Sequence, residues 1–483
     1  MAHTFLWYDL ETFGTDPRWD RIAQFAAIRT DTQLRQIGEP IVLHGRISPD
    51  YLPDPEACLI TGLTPRKTAD RGLTEVELAR AIFAEMSQPQ TCSVGFNSLR
   101  FDDEFIRNLF YRNFMDPFYR EYQNENTRWD ILSLVQMTHD LRPEGINWEY
   151  REDGTPLFRL EALTAQNGIH HEDAHDALAD VEATIAVARL VREAQPRLYD
   201  YHQTLRKKSV ARRMLNLEHP QPVLMSAPIY ARPGGYTTIV MPLSVHPEKN
   251  NETIVFDLRH DPAPLWELTI AELQYRTFTR QSELGDIPRI PLSGVPLSRV
   301  PNIAPLETLT PEAAQRLNLD RATALSRAQE LAKHPELATR IRQLYQRQGN
   351  WPQYSDPDLG IYSGGFFGDA DKIVFTNIHT SSPEELISNP PSFVDPRGPE
   401  MLRRYVGRNF PNALRGEAAQ QWRRFCARRL LAPEYAGART FNEFRRRIAV
   451  LQERPERTPQ DIQILTDLLD YAQWLEKHVM EGS

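Results

Sequence analysis

Acidic side chains set two apart in an apolar strand are the first feature with chemical content. Asp9 and Glu11 fall in FLWYDLETFG. Alternate side chains of a strand point to one face, so both carboxylates emerge on the same side, about 6.5 Å apart at Cα, with Leu10 turned into the sheet. Two acids at the end of an apolar strand cost desolvation unless positive charge sits between them. A hard divalent cation with oxygen ligands supplies that charge. Surface strands carry such pairs too, so D-x-E alone leaves a plain solvated pair open. A second acidic element is GFNSLRFDDEF, where a buried strand ends at Gly95–Asn97 and a helix begins near Asp102. A carboxylate there sits at the positive helix N-terminus, although Asp102 or Asp103 could equally be an N-cap and no more. The third element, HEDAHDALADVEAT, sets His175 and Asp180 five residues apart, about 140° around a continuous helix. They can share a site only if His175 lies in the loop before the first turn, with Asp176 as cap. A His in that place suits a general base that takes a proton from water. An exposed loop histidine is the plainer alternative.

Around these acids lie residues suited to holding a strand of nucleic acid. Phe13 follows the D-x-E pair and could pack against a terminal nucleotide. Phe110, Tyr111, Phe114, Phe118, Tyr119 and Tyr122 interleave with Arg107, Arg112 and Arg120. Stacking on such rings is tolerant of base sequence, but rings at this density are also ordinary core.

The elements that must position these groups fall into three regions, with no internal repeat. From 4 to 195, FLWYDLE, RIAQFAAIRTD, EPIVLHGRI and TCSVGFN read as strands. ELARAIFAEM, DDEFIRNLFYRNF and DALADVEATIAVARLVREAQ read as helices. This mixture predicts an α/β domain with helices packed on a mixed sheet. From 196 to 349, QPVLMSAPIY, GGYTTIVMPLSV and ETIVFDLR are strand-like segments between turn signals. They predict a small β-barrel with helical additions such as TALSRAQELAKH. The proline-rich IPRIPLSGVPLSRVPNIAPLETLTPE between them is expected to run over a surface. From 352 to 480 the chain reads as mainly helical, closing with PQDIQILTDLLDYAQWLEKHV, where Pro459 sits in the first turn.

Composition is that of a folded protein: 483 residues, 41% hydrophobic and 25% charged, which argues against long disorder. Cys58, Cys92 and Cys426 lie far apart, match no zinc spacing and leave an odd count, as fits a reducing compartment. The start, MAHTFLWYDLETFG, does not read as a signal peptide, and no window approaches ~18 uninterrupted apolar residues. A cytoplasmic location, no membrane association and a monomer are expected. Net charge is −9, which excludes only a uniformly basic nucleic-acid binder. Between Met401 and Arg457 the chain carries 14 Arg and 5 Glu with no Lys or Asp. Such a stretch is either a set of solvated helix faces or a surface for an anionic partner.

The order and type of the acidic elements, with the text around them, resemble the DEDDh 3′→5′ exonuclease superfamily. Within it, the chain resembles the bacterial exodeoxyribonuclease I family. DLETFG, RFDDEFIRNLFYRNFMDP, TRWDILSL, LRPEGINW, FRLEALTAQNGI and AHDALADVEATIA carry the likeness across the first region. QPRLYDY, SGGFFGDAD and VGRNFP carry it more faintly beyond. The resemblance implies an RNase H-like exonuclease domain (4–195), an SH3-like β-barrel domain with helical additions (196–349) and a helical C-terminal domain (352–480). It implies release of 5′-mononucleotides from the 3′ end of single-stranded DNA, in DNA repair and recombination. Two Mg²⁺ ions, with Mn²⁺ as a substitute, would be held by Asp9, Glu11 and Asp180, with Asp102 directly or through water and His175 as base. Asp102 rather than Asp103 matches the family motif. Glu11 and Arg159 match substrate-contacting positions; without the resemblance, Arg159 reads as a surface ion-pair partner of Glu161. Arg107, Tyr122 and Phe13 are further candidates for holding the strand. Arg142 and Tyr201 match positions associated with docking the acidic C-terminal tail of single-stranded DNA-binding protein. Gln136 departs from the pattern, standing where a basic DNA contact is expected. The extra domains would close over the nuclease face and exclude duplex.

Two rival readings remain at this stage: a DEDDh nuclease acting on RNA ends or in proofreading, and a non-catalytic nucleic-acid-binding scaffold. The long extensions favour single-stranded DNA over the first. The presence of all five catalytic residue types argues against the second.

Overall fold

The computed structural model describes residues 3–171, 176–346, 356–432 and 438–480. Its first domain is built on a five-stranded sheet of order β3-β2-β1-β4-β5. The strands are β1 (Thr4–Thr12), β2 (Ile22–Thr30), β3 (Ile41–His44), β4 (Thr91–Gly95) and β5 (Thr127–Asp130). β1 runs antiparallel to β2 and parallel to β4, so the sheet is mixed. Alternation along β1 splits its side chains between two cores. Leu6, Tyr8 and Leu10 pack with the helices α1 (Glu75–Met86) and α2 (Asp102–Arg112). Phe5 and Trp7 face the other way, against α3 (Ile131–Leu141) and α5 (Ala177–Ala194), with the short α4 (Leu160–Gln166) between them in sequence. Asp9 and Glu11 continue this second face by the two-residue period. The helix α6 (Pro196–Thr204) also packs here: Tyr199 meets Trp129 edge-on, and the Trp129 indole donates to His202 Nδ1.

The second domain is an antiparallel sheet of order β10-β6-β7-β8-β9. It comprises β6 (Val223–Ser226), β7 (Thr237–Val245), β8 (Glu252–Asp257), β9 (Leu292–Pro296) and β10 (Ile303–Pro305), followed by α7 (Arg321–Ala332) and α8 (Leu337–Tyr345). The proline-rich stretch does not simply run over a surface. It supplies both edge strands, and Ile290, Val295, Leu297, Val300, Ile303 and Leu306 are buried. Proline is tolerated at sheet edges because no ladder donor is needed on the outer side; Pro296 ends β9 and Pro305 ends β10, and the other prolines of the segment flank the strands.

The third domain is helical: α9 (Asp369–Thr380), α10 (Gly398–Asn409), α11 (Gly416–Leu431), α12 (Phe441–Gln452) and α13 (Pro459–Met480). Pro459 is the first residue of α13, where its missing N–H costs nothing. This domain shares one core with the nuclease domain, including Phe13, Trp19, Tyr51 and Phe114. The arginine-rich stretch divides: Arg415, Arg424, Arg428, Arg446, Arg447 and Arg454 are exposed on helix faces and loops, whereas Arg404, Arg408 and Arg429 are buried and Arg439 is half-buried. Arg408 holds Asp50 at 2.9 Å and Asp358 at 2.6 Å. Arg429 reaches both acids at 3.4 Å, Arg404 reaches Asp358 at 2.9 Å, and Arg439 pairs with Asp20 at 2.6 Å and Asp54 at 2.9 Å. The pairs of Asp50 with Arg408 and Arg429, and those of Arg439 with Asp20 and Asp54, fasten the C-terminal domain to the nuclease domain, while Asp358 gathers Arg404, Arg408 and Arg429 within the C-terminal domain. Among the described residues no helix is long and apolar enough to cross a membrane.

Candidate active site

The end of β1 delivers two carboxylates to the face covered by α5. Across the strand pair Glu11 lies opposite Gln24, and Gln24 fixes the start of α5. Its Nε2 donates to Asp176 Oδ2 at 3.1 Å, and its Oε1 accepts from the Ala177 N–H at 3.2 Å. Asp176 is the N-cap, accepting from the N–H groups of Leu178 and Ala179. One turn later Asp180 comes over the strand. Asp9, Glu11 and Asp180 each present an oxygen, and the three lie within 4.8 Å of one another. Among the described residues this is the one group of three or more acidic, His or Cys side chains so placed.

Electrostatics marks the same place. Burial, reinforced by Asp102, Asp180 and Asp176, pushes the Asp9 carboxyl well above the usual range. Glu11, 7% exposed, is pushed up to about 9 by burial and by Asp9 and Asp180. Asp102 is also raised, by burial and then by its neighbour Asp103. Like charges held together in a place poor in solvent disfavour ionisation, and a bound divalent cation would reverse that preference. The donor set consists of carboxylate oxygens, which is the chemistry of a hard cation.

Neither aspartate at the start of α2 is its N-cap; Phe101 holds that position and makes no side-chain cap bond. The two acids have separate fates. Asp103 accepts from Tyr8 Oη at 2.6 Å and from Arg128 Nη1 at 2.5 Å, and it pairs with Arg120. Burial pushes Asp103 up, but Arg120, Arg128 and Arg107 outweigh it and hold the carboxyl below its ordinary range. Asp102 has no such arginines among its influences; Glu11 and Asp130 press on it instead.

His175 lies outside the described residues. Sequence reasoning passed over His171. Its ring is buried, its Nε2 lies 2.5 Å from Asp180 Oδ1, and its Nδ1 lies 3.3 Å from Thr164 Oγ1. The His–His pair in GIHHED was the available signal.

Of the strand-holding candidates, Arg159 is exposed at the N-terminus of α4, and among the described residues it forms no ion pair with Glu161. Tyr122 is 55% exposed. Phe13 offers no face to a nucleotide: its ring is fully enclosed in the core shared with the C-terminal domain, and its carbonyl accepts from Tyr51 Oη. Arg107 is committed within the protein, to Glu121 at 2.7 Å and Glu104 at 2.6 Å, with its guanidinium over Phe118. Phe110, Tyr111 and Phe114 are core. Arg142 and Tyr201 both hold the barrel segment that begins at β10. Arg142 donates to the Thr308 carbonyl at 3.1 Å, and Tyr201 Oη donates to the Ile303 carbonyl at 2.9 Å. Gln136 is buried and lines a cleft of about 490 Å³ between nuclease domain and barrel, shared with Arg100, Arg289 and Arg299.

Three family models match the chain: Exonuclease over 6–188, Exonuclease I SH3-like domain over 206–347, and Exonuclease I C-terminal domain over 355–475. Exodeoxyribonuclease I of Escherichia coli K12 is 41% identical over 432 residues, covering 89% of this chain and 90% of that protein. The chain belongs to the exodeoxyribonuclease I family. The Haemophilus influenzae exodeoxyribonuclease I is 39% identical over 87% of this chain and 89% of its own length. Among solved structures, a moderately thermophilic Exonuclease I from Methylocaldum szegediense superposes with a TM-score of 0.93 at 44% identity, covering 98% of this chain and all of that one. E. coli Exonuclease I in complex with a dA16 oligonucleotide gives 0.93 at 38% identity over the same coverage. The zinc-ion-bound form of its single-stranded DNA complex gives 0.92 at 38% identity, again over 98% of this chain and all of that one. The exonuclease, SH3-like and helical C-terminal architecture expected from the sequence is therefore that of the family.

Proposed function

We propose that this chain is a metal-dependent exonuclease that shortens single-stranded DNA from its 3′ end, releases 5′-mononucleotides, and serves DNA repair and recombination. The observation that carries the reading is the meeting of Asp9, Glu11 and Asp180 within 4.8 Å in a place where Glu11 resists ionisation. Family membership and the oligonucleotide complexes of the E. coli relative supply the substrate class.

Asp9, Glu11 and Asp180 would hold two divalent cations, Mg²⁺ or in its place Mn²⁺, with Asp102 completing the set directly or through water. When bound, such a pair neutralises charge at phosphorus and stabilises the leaving oxygen. His175 takes the proton of the attacking water. Glu11 also borders the terminal nucleotide, and Arg159, exposed and without an ion-pair partner among the described residues, forks onto a phosphate. Tyr122 presents an open ring for a base. Arg107 acts through the ion pairs that shape this wall, and Phe13 through packing. Arg142 and Tyr201, at the seam between nuclease domain and barrel, border the docking place for the acidic tail of single-stranded DNA-binding protein. The protein works as a monomer.

The test uses a 5′-labelled single-stranded oligonucleotide and its duplex, with Mg²⁺ or a chelator. Stepwise shortening of the single strand that needs Mg²⁺ is expected, with the duplex spared. Asp9→Ala should remove cleavage, roughly 10³-fold or more for the loss of several kcal/mol of charge stabilisation, while binding persists. His175→Ala should slow cleavage by about 10²–10⁴-fold. Equal shortening in chelator would overturn the reading.

A further inference from the structure

The buried His171–Asp180 contact goes beyond the acidic cluster itself. His171 is not a candidate base. Its ring is enclosed, and both nitrogens face polar groups of the protein: Nε2 toward Asp180 Oδ1 at 2.5 Å and Nδ1 toward Thr164 Oγ1 at 3.3 Å. Thr164 is itself fixed, its hydroxyl 3.0 Å from the Glu161 carbonyl one turn back on α4. A chain of contacts therefore runs from the body of α4 through the imidazole to one oxygen of the Asp180 carboxylate.

We propose that His171 is a positioning residue for Asp180, donating from Nε2 to Oδ1 so that the carboxylate plane is fixed before a cation arrives. The proposal rests on the reading of Asp9, Glu11 and Asp180 as a cation site. The physical need is clear from the helix. Asp180 sits one turn into α5, where its side chain has free rotamers, and its neighbours Asp9 and Glu11 are acids that repel it. The hydrogen bond to Oδ1 opposes that repulsion. Gln24 does the complementary work at the main chain, tying the first turn of α5 to the strand opposite Glu11. Outer partners of this kind typically change metal affinity by roughly 10–100-fold when removed.

The experiment compares the full-length wild type with His171→Leu, His171→Gln and Thr164→Val. Mn²⁺ binding is followed by electron paramagnetic resonance without DNA, alongside thermal melting and steady-state cleavage. Gln can place its amide N–H near the position of Nε2; Leu fills the space without a donor. The expected result is Mn²⁺ affinity weakened roughly 10–100-fold in His171→Leu, substantially restored in His171→Gln, and weakened least in Thr164→Val. In His171→Leu kcat should fall at saturating Mn²⁺ with KM for the strand unchanged. Equal Mn²⁺ affinity in wild type and His171→Leu overturns the positioning role. So does equal weakening in the Leu and Gln variants in step with their melting temperatures, because that pattern reports packing alone. Absence of Mn²⁺ binding in the wild type itself would sink the cation site rather than the role of His171.

Discussion

Asp50 and Asp358, at the seam with the C-terminal domain, are as enclosed as Glu11 and Asp102 in the nuclease site, yet their surroundings drive them the opposite way. At the seam, burial raises both carboxyls, and Arg408, with Arg429 at Asp50 and Arg404 at Asp358, overcomes it, holding them below the ordinary range. At the site burial acts with neighbouring acids, and Glu11 rises to about 9. A buried charge must be paired or it neutralises itself. The seam carries its cations in the chain, as arginines; at the site the groups that bear on Asp9 and Glu11 are acids, and under the proposed function the cation comes from solution. Burial alone therefore does not separate structural acids from functional ones. The sign of what faces them does.

The sharpest way to break this contrast is the adjacent pair Asp102 and Asp103. Asp103→Asn leaves the buried guanidinium of Arg120 without the carboxylate it pairs with and takes from Arg128 one of its two acids, Glu121 remaining at 2.9 Å; it should cost about 3–5 kcal/mol of stability, read from chemical denaturation. Asp102→Asn should leave the denaturation midpoint unchanged or raised, because it removes a carboxyl that resists ionisation, while cleavage falls. If both variants lose stability equally, the division between the two acids is wrong.

A smaller effect sharpens the comparison through pH. The Glu11 carboxyl lies near 9 in the folded metal-free protein and near the ordinary ~4.3 when unfolded. Its contribution to stability is thus fully present below that lower value and is lost as pH rises through the folded one. Glu11→Gln should abolish that loss. In chelator, the melting temperature of the variant should exceed that of wild type by a margin that is small at pH 5 and widens toward pH 9. Parallel curves would contradict the raised carboxyl.

Much of the nuclease domain was legible in the sequence because its signals are local. The D-x-E pair in an apolar strand, the Asp176 cap and the period of α5 each occupy a few consecutive residues, and the structure brings Asp9, Glu11 and Asp180 together. What was not legible depends on partners far away in the chain. Asp50 and Arg408 are separated by 358 residues, so nothing near either one distinguishes a buried pair from a solvated charge. The strands β9 and β10 were hidden by their prolines, which mark turns and edges alike. Phe13 looked available beside the acids because the domain that encloses it begins more than three hundred residues later. His171 was passed over because its contacts, with Thr164 on α4 and Asp180 on α5, lie seven and nine residues away and show only in three dimensions.

The most direct measurement is a crystal of the full chain soaked in Mn²⁺, with anomalous diffraction locating the ion. The account predicts a peak coordinated by carboxylate oxygens of Asp9, Glu11 and Asp180. Peaks confined to other places, with those three side chains turned away from one another, would contradict it.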